Sequence, residues 1–400
     1  NNRKYSNHMI TKKETTNYWF KIEPYVHISI VNSNVLLYNT FDGSFIESKD
    51  IEIVKLLKET LLKENCGVVL LTAERYNLDN IRKFIMELRA KYMGDIIDIE
   101  LSKSKPVQIM PFTSLVNTQE LFKKQNFPTG KKILEYLSEI SIYVDYNTNI
   151  MDLNSFLKSL PNISTVNIIG NLKDVANYKE LLLVLDQFPS LKKITCNYSN
   201  VISLQPEFVN NFSYSILINY PIDISKWNYS RRLLLNQSIP FECIFEVTSM
   251  DNYSQINKFI EEFGIEKHQL KPVYTGDNID FFKENVFLTK DDILSTPLSI
   301  SDFFINQSMN IFDFGKIAIM SNGDIYANVN YPILGNIHTH SIYEIISKEL
   351  EEGRSWLRIR NQAPCNTCLY QWFCPSPSNY EIAIGRPNPV SYTHLRAHET

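Results

Sequence analysis

Ile140-Ser141-Ile142-Tyr143-Val144, running into Asp145-Tyr146-Asn147-Thr148-Asn149, decides how the middle of this chain reads. A short apolar run that ends in a cluster of Asp, Asn and Thr is a strand delivered into a loop. The pattern then repeats. Strand-like runs begin near Ser141, Thr165, Lys192, Tyr214, Phe241 and His268, about 22 to 27 residues apart, and helical spacing over Tyr178–Phe188 and Tyr253–Phe263 lies between some of them. A parallel neighbour needs a long return connection, usually a helix on the sheet face, so this alternation predicts an α/β fold with a parallel sheet. The rival is a leucine-rich solenoid with a period of about 20–29 residues. Leu160-Pro161-Asn162-Ile163 and Phe188-Pro189-Ser190-Leu191 suit it, but the repeats do not hold Leu and Asn at fixed positions, which favours a partial β/α barrel.

Two smaller units flank this core. Before it, Val26–Val31 and Val35–Asn39 enclose the turn-forming Asn32-Ser33-Asn34, as in a hairpin. Ile53, Val54, Leu57 and Leu61 mark one face of a helix over Ile51–Lys63; Cys66-Gly67 ends it, Val68–Thr72 is strand-like and Leu78–Tyr92 is helical again. After the core, Lys316–Met320 and Asp324–Ala327 flank Ser321-Asn322-Gly323, a strong hairpin signal. Leu334-Gly335-Asn336-Ile337 follows, then a helix expected from Ser341 to about Arg360.

Composition narrows the function classes. With 44% hydrophobic and 21% charged residues the 400-residue chain can bury a normal core, and its length suits two or three domains. Lys+Arg 40 against Asp+Glu 44 gives a net charge of −4 and no basic footprint for nucleic acid. Apolar runs such as Gly67–Leu71 and Leu181–Leu185 fall far short of the roughly 18 residues that span a bilayer. The polar start carries no apolar signal segment, so no membrane partner and a cytoplasmic location are expected. No Walker loop, GxGxxG, HExxH or nucleophile elbow is present.

The cysteines carry the sharpest chemical signal. Cys66, Cys196 and Cys243 are isolated in apolar contexts and read as core residues. Cys365-x2-Cys368-x5-Cys374 is different: thiolates at this spacing can turn toward one metal, as in iron–sulfur clusters or structural zinc. Both want four ligands and only three are here. Unligated cysteines in a compact loop remain the alternative. His338 and His340 suit surface or packing roles better than a fourth ligand. Trp372 and Phe373 suit a wall around the thiols.

At this point the chain resembles a known family. Gly323 to Glu381 is similar to a SPASM domain, the C-terminal extension of radical-SAM enzymes that modify peptides. Asn328 stands where that pattern wants the cysteine of Gly-x4-Cys, Gln307–Phe314 has no cysteine, and Ser378 stands at the x3-Cys position. The resemblance implies that the first auxiliary cluster is lost, and that Cys365, Cys368 and Cys374 belong to the second, with a natural fourth cysteine near position 390. The string PVSYTHLRAHET that ends the chain reads as foreign sequence. The radical-SAM signature Cys-x3-Cys-x2-Cys is missing: the loop Asp145–Asn149 has no thiol. Ile168-Ile169-Gly170-Asn171 keeps one glycine and no carboxylate of the Gly-Gly-Glu-like motif, while Thr195-Cys196-Asn197 is similar to the third-strand threonine–asparagine.

CNTCLYQWFCPSPSNYEIAIGRPN (365–388), with NYWFKIEPYVHI and LLYNTFDG, resembles the pseudo-radical-SAM proteins of GG-Bacteroidales peptide-modification systems over about Asn17 to Asn388. The resemblance implies a partial (β/α)6 radical-SAM-like barrel over 136–305, an N-terminal α+β unit over 17–135 that can serve as a peptide-binding unit, a SPASM-like domain over 306–388 and a foreign tail over 389–400. It further implies one [4Fe–4S] cluster, or zinc in its place, no S-adenosylmethionine cleavage and no catalytic residue. The implied partners are a GG-leader precursor peptide and a genuine radical-SAM/SPASM enzyme. A redox enzyme working through that single cluster, or a leucine-rich binding protein with a zinc site, remains as the alternative.

Overall fold

The computed structural model describes residues 16–102, 104–108, 114, 117–127, 131–203 and 211–385. The chain divides into two compact units. The first joins the N-terminal region through Leu121 to Leu294–Gln307 and Asn361–Cys374; the second holds Phe122–Ile293, Ser308–Arg360 and the segment from Pro375 onward. The stretch 306–388 is thus shared between the two units. Among the described residues no helix is long and apolar enough to cross a membrane.

In the first unit, β1 (Tyr18–Ile22), β2 (Val26–Val31), β3 (Asn34–Asn39), β4 (Phe45–Ser48), β5 (Val68–Leu71) and β6 (Gly94–Asp98) form two antiparallel sheets, ordered β5-β1-β6 and β2-β3-β4. The expected hairpin is present: Val31 faces Asn34 across a turn in which Asn32 takes φ 54°, the left-handed region that Asn tolerates. Asp50 caps helix Ile51–Thr60 by accepting from the N–H groups of Glu52 and Ile53. Ile53, Val54 and Leu57 of that helix, with Ile81, Phe84 and Leu88 of helix Asp79–Ala90, bury the inward face of the sheets at Ile22, Val35, Leu37 and Ile46.

The second unit is built on a mostly parallel sheet. β7 (Glu139–Val144), β8 (Thr165–Gly170), β9 (Leu191–Asn197), β10 (Ser213–Ile218), β11 (Phe241–Val247) and β12 (His268–Pro272) pair in sequence order, each parallel to the last. β13 (Lys316–Ile319) adds in parallel to the free side of β7, and β14 (Asp324–Tyr326) and β15 (Gly335–Asn336) continue antiparallel, giving nine strands. The α/β class and the parallel sheet follow the sequence expectation. Helices Ile150–Leu157, Tyr178–Asp186, Ile224–Asn236 and Met250–Phe263 return the chain between strands. Trp227, Phe259 and Phe245 pack ring to ring at 5.5–6.0 Å, tying two of these helices to β11.

Burial alternates along these strands: Ile140, Ile142, Val144, Ile168, Ile194, Ile216, Cys243, Phe245 and Val247 are buried, and the residues between them are mostly half-exposed. That second face is mixed: Tyr143, Ile169, Leu217 and Ile244 share it with a polar cluster. Ser215 and Gln269 donate to the Glu242 carboxylate at 2.7 and 3.2 Å, Lys193 pairs with it, and Thr195 donates to Asn167 at 2.9 Å. Parallel sheets are usually apolar on both faces, so the cluster around Glu242 departs from the rule.

Two sequence expectations are corrected. The helix expected from Ser341 to about Arg360 spans only Ile342–Glu352, because Gly353 takes a left-handed φ of 61° and stops it. The chain then folds back, and the N–H groups of Ser355 and Trp356 donate to the buried Glu349 carboxylate at 2.9 and 2.7 Å. Helices Ile150–Leu157 and Ile224–Asn236 were not among the helical stretches expected from periodicity.

Gly170 ends β8 at φ 134°, and a Cβ there would meet the Val144 carbonyl oxygen at 2.3 Å. Gly170→Ala should therefore lower stability by about 2 kcal/mol. Urea unfolding of the full chain checks this; an unchanged midpoint would contradict the tight β7–β8 contact.

Candidate functional site

The structure places Cys365, Cys368 and Cys374 on one short loop of the first unit. Cys365–Thr367 is a single 3-10 turn, in which the Cys368 N–H donates to the Cys365 carbonyl at 2.9 Å. Cys365 and Cys368 are half-exposed and Cys374 is buried; none of the three is in a disulfide. What fixes the loop is aromatic. Phe373, 3% exposed, packs at 4.9 Å on Phe303, 5.0 Å on Tyr38 of β3 and 5.8 Å on His27 of β2. His27 itself lies stacked on Phe303 at 4.0 Å. Tyr38 accepts from the Leu298 N–H at 2.8 Å, Asn306 donates to the Trp372 carbonyl at 3.0 Å, and the Tyr370 hydroxyl donates to the Glu47 carboxylate on β4. The loop therefore touches all three strands of the β2-β3-β4 sheet, on the face opposite the helices.

An iron–sulfur cluster or zinc ion needs a closed set of ligands. The donor chemistry of three thiols suits either, provided that a fourth ligand is supplied. Among the described residues no three His, Cys, Asp or Glu side chains are gathered so as to hold a metal. The fourth ligand expected near position 390, like His394, His398 and the tail 389–400, lies outside the described residues. No chemical step is assigned to a metal here. His338 faces Asp152 at 3.5 Å, and His340 accepts from the Asn336 N–H at 3.4 Å; both are engaged within the second unit.

Asn328, Asp313 and Asn379, the neighbour of Ser378, form a polar network in the second unit. Asn328 donates to Asp313 at 2.9 Å and also to Asn379, next to Ser378; its side-chain oxygen accepts from the Asn330 N–H at 3.0 Å. Burial pushes the Asp313 carboxyl above its ordinary range. Ser378 caps helix Asn379–Ile384 in a capping box with Glu381, and Glu381 receives Arg360 at 2.9 and 3.2 Å, the pair being only 3–4% exposed. Asn310, fully buried, donates to the Pro377 carbonyl at 3.0 Å.

The thiol-free loop after β7 is closed on itself. Asp145 accepts from Asn147 N–H at 2.7 Å and from the Ser321 hydroxyl at 2.8 Å, while Asn149 caps the next helix. Tyr143, Thr148, Asn149, Ser321, Gly323 and His338 line a cavity of about 60 Å³ there. Cofactor pockets run to about 300 Å³ and more. Cys196 and Cys243 are core residues whose thiols burial pushes up to about 12, and the half-buried Cys66 donates to the Gln108 carbonyl at 3.3 Å.

No family model matches the chain, and no curated protein matches it. Among solved structures it is similar to SuiB of Streptococcus suis bound to S-adenosylmethionine, at 12% identity and a TM-score of 0.40, over 95% of this chain and 100% of that one. It is similar to anSMEcpe with bound AdoMet and a Cp18Cys peptide at 12% identity and a TM-score of 0.42, over 59% and 88%. A third, MccB of E. coli with AMPCPP and MccA, stands at 11% identity and a TM-score of 0.17, over 66% and 85%. At these values the likeness is one of loose shape.

The sequence pointed to Phe373 as an apolar wall but gave no sign of its neighbours His27, Tyr38 and Phe303, nor of Glu47. Burial lowers the His27 pKa to about 3 from 6.5. Below pH 6.5 the unfolded chain takes a proton that the folded chain refuses, so this contribution is complete above pH 6.5 and is lost as pH falls toward 3. Between pH 6.5 and 5 the loss is about 2 kcal/mol. Urea titrations at pH 7 and 5 should show that extra loss in the wild type and not in His27→Phe; equal losses would contradict the buried neutral imidazole.

Proposed function

We propose that this chain is a non-catalytic, radical-SAM-like partner in the maturation of a ribosomally made peptide, which it captures on its first unit and presents to a genuine radical-SAM/SPASM enzyme. The observation that carries the reading is the loop Asp145–Asn149: it follows the first strand of the parallel sheet, has no thiol, and is hydrogen-bonded shut by Ser321. Reductive cleavage of S-adenosylmethionine needs a cluster held by three thiolates with one iron open; this loop offers Asp, Tyr, Asn, Thr and Asn. The resemblance of residues 365–388 to the pseudo-radical-SAM proteins supports the same reading.

Capture is assigned to β4, an edge strand. Asn39 N–H donates to the Ser44 carbonyl at 2.8 Å, and the alternation of an antiparallel ladder then turns the backbone groups of Phe45 and Glu47 outward. Phe41 and Tyr92, more than 70% exposed, lie near that edge beside Tyr25 as apolar anchors, and Lys91 Nζ donates to the Phe45 carbonyl, a bond that an incoming strand displaces. An extended peptide adding to an edge of this kind uses main-chain hydrogen bonds for affinity and side-chain contacts for choice. Cys365, Cys368 and Cys374 are proposed to supply three of four ligands to one iron–sulfur cluster once the fourth comes from beyond residue 385, with a structural or electron-relaying role.

Two measurements test this. Anaerobically prepared protein given dithionite and S-adenosylmethionine should release no 5′-deoxyadenosine; appreciable product would overturn the non-catalytic assignment. Fluorescence anisotropy with a labelled synthetic peptide, a β-branched strand segment followed by Gly-Gly, should saturate with the wild type and weaken at least tenfold with Phe45→Asp. Equal binding by both proteins would remove β4 from the capture site.

A further inference from the structure

We propose that Tyr370 is a positioning residue for peptide capture, making the cysteine loop a built-in regulator of the β4 edge. The inference rests on the capture reading above. β4 is short, only four residues, and its outer face carries Phe45 and Glu47. On its inner side it is anchored by Ile46, which is 3% exposed. On the opposite face Glu47 has a hydrogen-bond donor 323 residues away in sequence, the hydroxyl of Tyr370.

That hydroxyl is held in place from within the loop. Tyr370 packs at 6.0 Å on Phe373, whose ring is locked among His27, Tyr38 and Phe303. The Phe373 N–H donates to the Tyr370 carbonyl at 3.0 Å, so the two side chains belong to one turn. A turn wedged by one aromatic ring thus fixes a carboxylate on the strand that receives the peptide. An edge strand held extended before the peptide arrives has less ordering entropy to lose on binding. Docking of the loop and capture of the peptide therefore favour one another, and by linkage each changes the other by the same factor. In the cluster-free chain Cys374, next to Phe373 and buried, becomes a reporter of docking: it meets a reagent only when the loop lifts.

The test uses the full chain and the labelled Gly-Gly peptide. Tyr370→Phe, which deletes one hydroxyl, should weaken binding about fivefold with unchanged circular dichroism. Glu47→Ala should weaken it similarly, and adding Tyr370→Phe to that background should cost nothing more, which a general loss of packing would not reproduce. Saturating peptide should slow iodoacetamide alkylation of Cys374, read by peptide mapping, about fivefold. Unaltered affinity in both variants with unaltered Cys374 alkylation overturns the positioning role and leaves capture at β4 standing. Wild type that does not bind the peptide overturns both.

Discussion

The first unit depends on Phe373. Its ring closes the outer face of the β2-β3-β4 sheet at His27 and Tyr38, with Phe303 as the second layer. A small sheet needs a hydrophobic face or packing against a helix to be stable on its own. Here helices Ile51–Thr60 and Asp79–Ala90 bury one face and two distant segments of chain bury the other. Each aromatic pair adds about 0.5–1.5 kcal/mol beyond area burial, so the cluster, and not the thiols beside it, accounts for the loop's position.

In the second unit the governing constraint is that the sheet has one buried apolar face and one mixed face that carries a polar cluster. The helices satisfy the first. The second is balanced by cross-strand partners, Lys193 and Ser215 and Gln269 around Glu242, and Thr195 with Asn167. Cross-linked polar groups recur in two further places. Asp145 and Ser321 close the first loop, and Asn328, Asp313 and Asn379 fill the region where the SPASM pattern has cysteines. Buried polar groups left without partners are costly, and these residues have partners.

Much of the fold was legible from local signals. The period of strands and helices gave the parallel sheet, Asn32-Ser33 and Asn322-Gly323 gave the hairpins, and the triplet Cys365, Cys368 and Cys374 announced itself by spacing. Long-range pairings were not legible. Nothing local says that β1 lies between β5 and β6, or that Glu47 meets Tyr370, because side-chain periodicity reports which face is buried and not against what. Gly353 was misread for the opposite reason: apolar spacing continued past it through Trp356 and Leu357, while a left-handed glycine ended the helix. Asn328 and Ser378 were visible as departures from a cysteine pattern, but only the folded chain brings Asn328 to Asp313 and to Asn379 beside Ser378.

The central claim is that peptide capture and the cysteine loop are two faces of one small sheet. Hydrogen exchange on the full chain, with and without saturating Gly-Gly peptide, tests it most directly. The account predicts that Phe45–Ser48 and residues 365–374 gain protection together. Protection confined to other segments, or β4 protected while the loop exchanges as before, would contradict it.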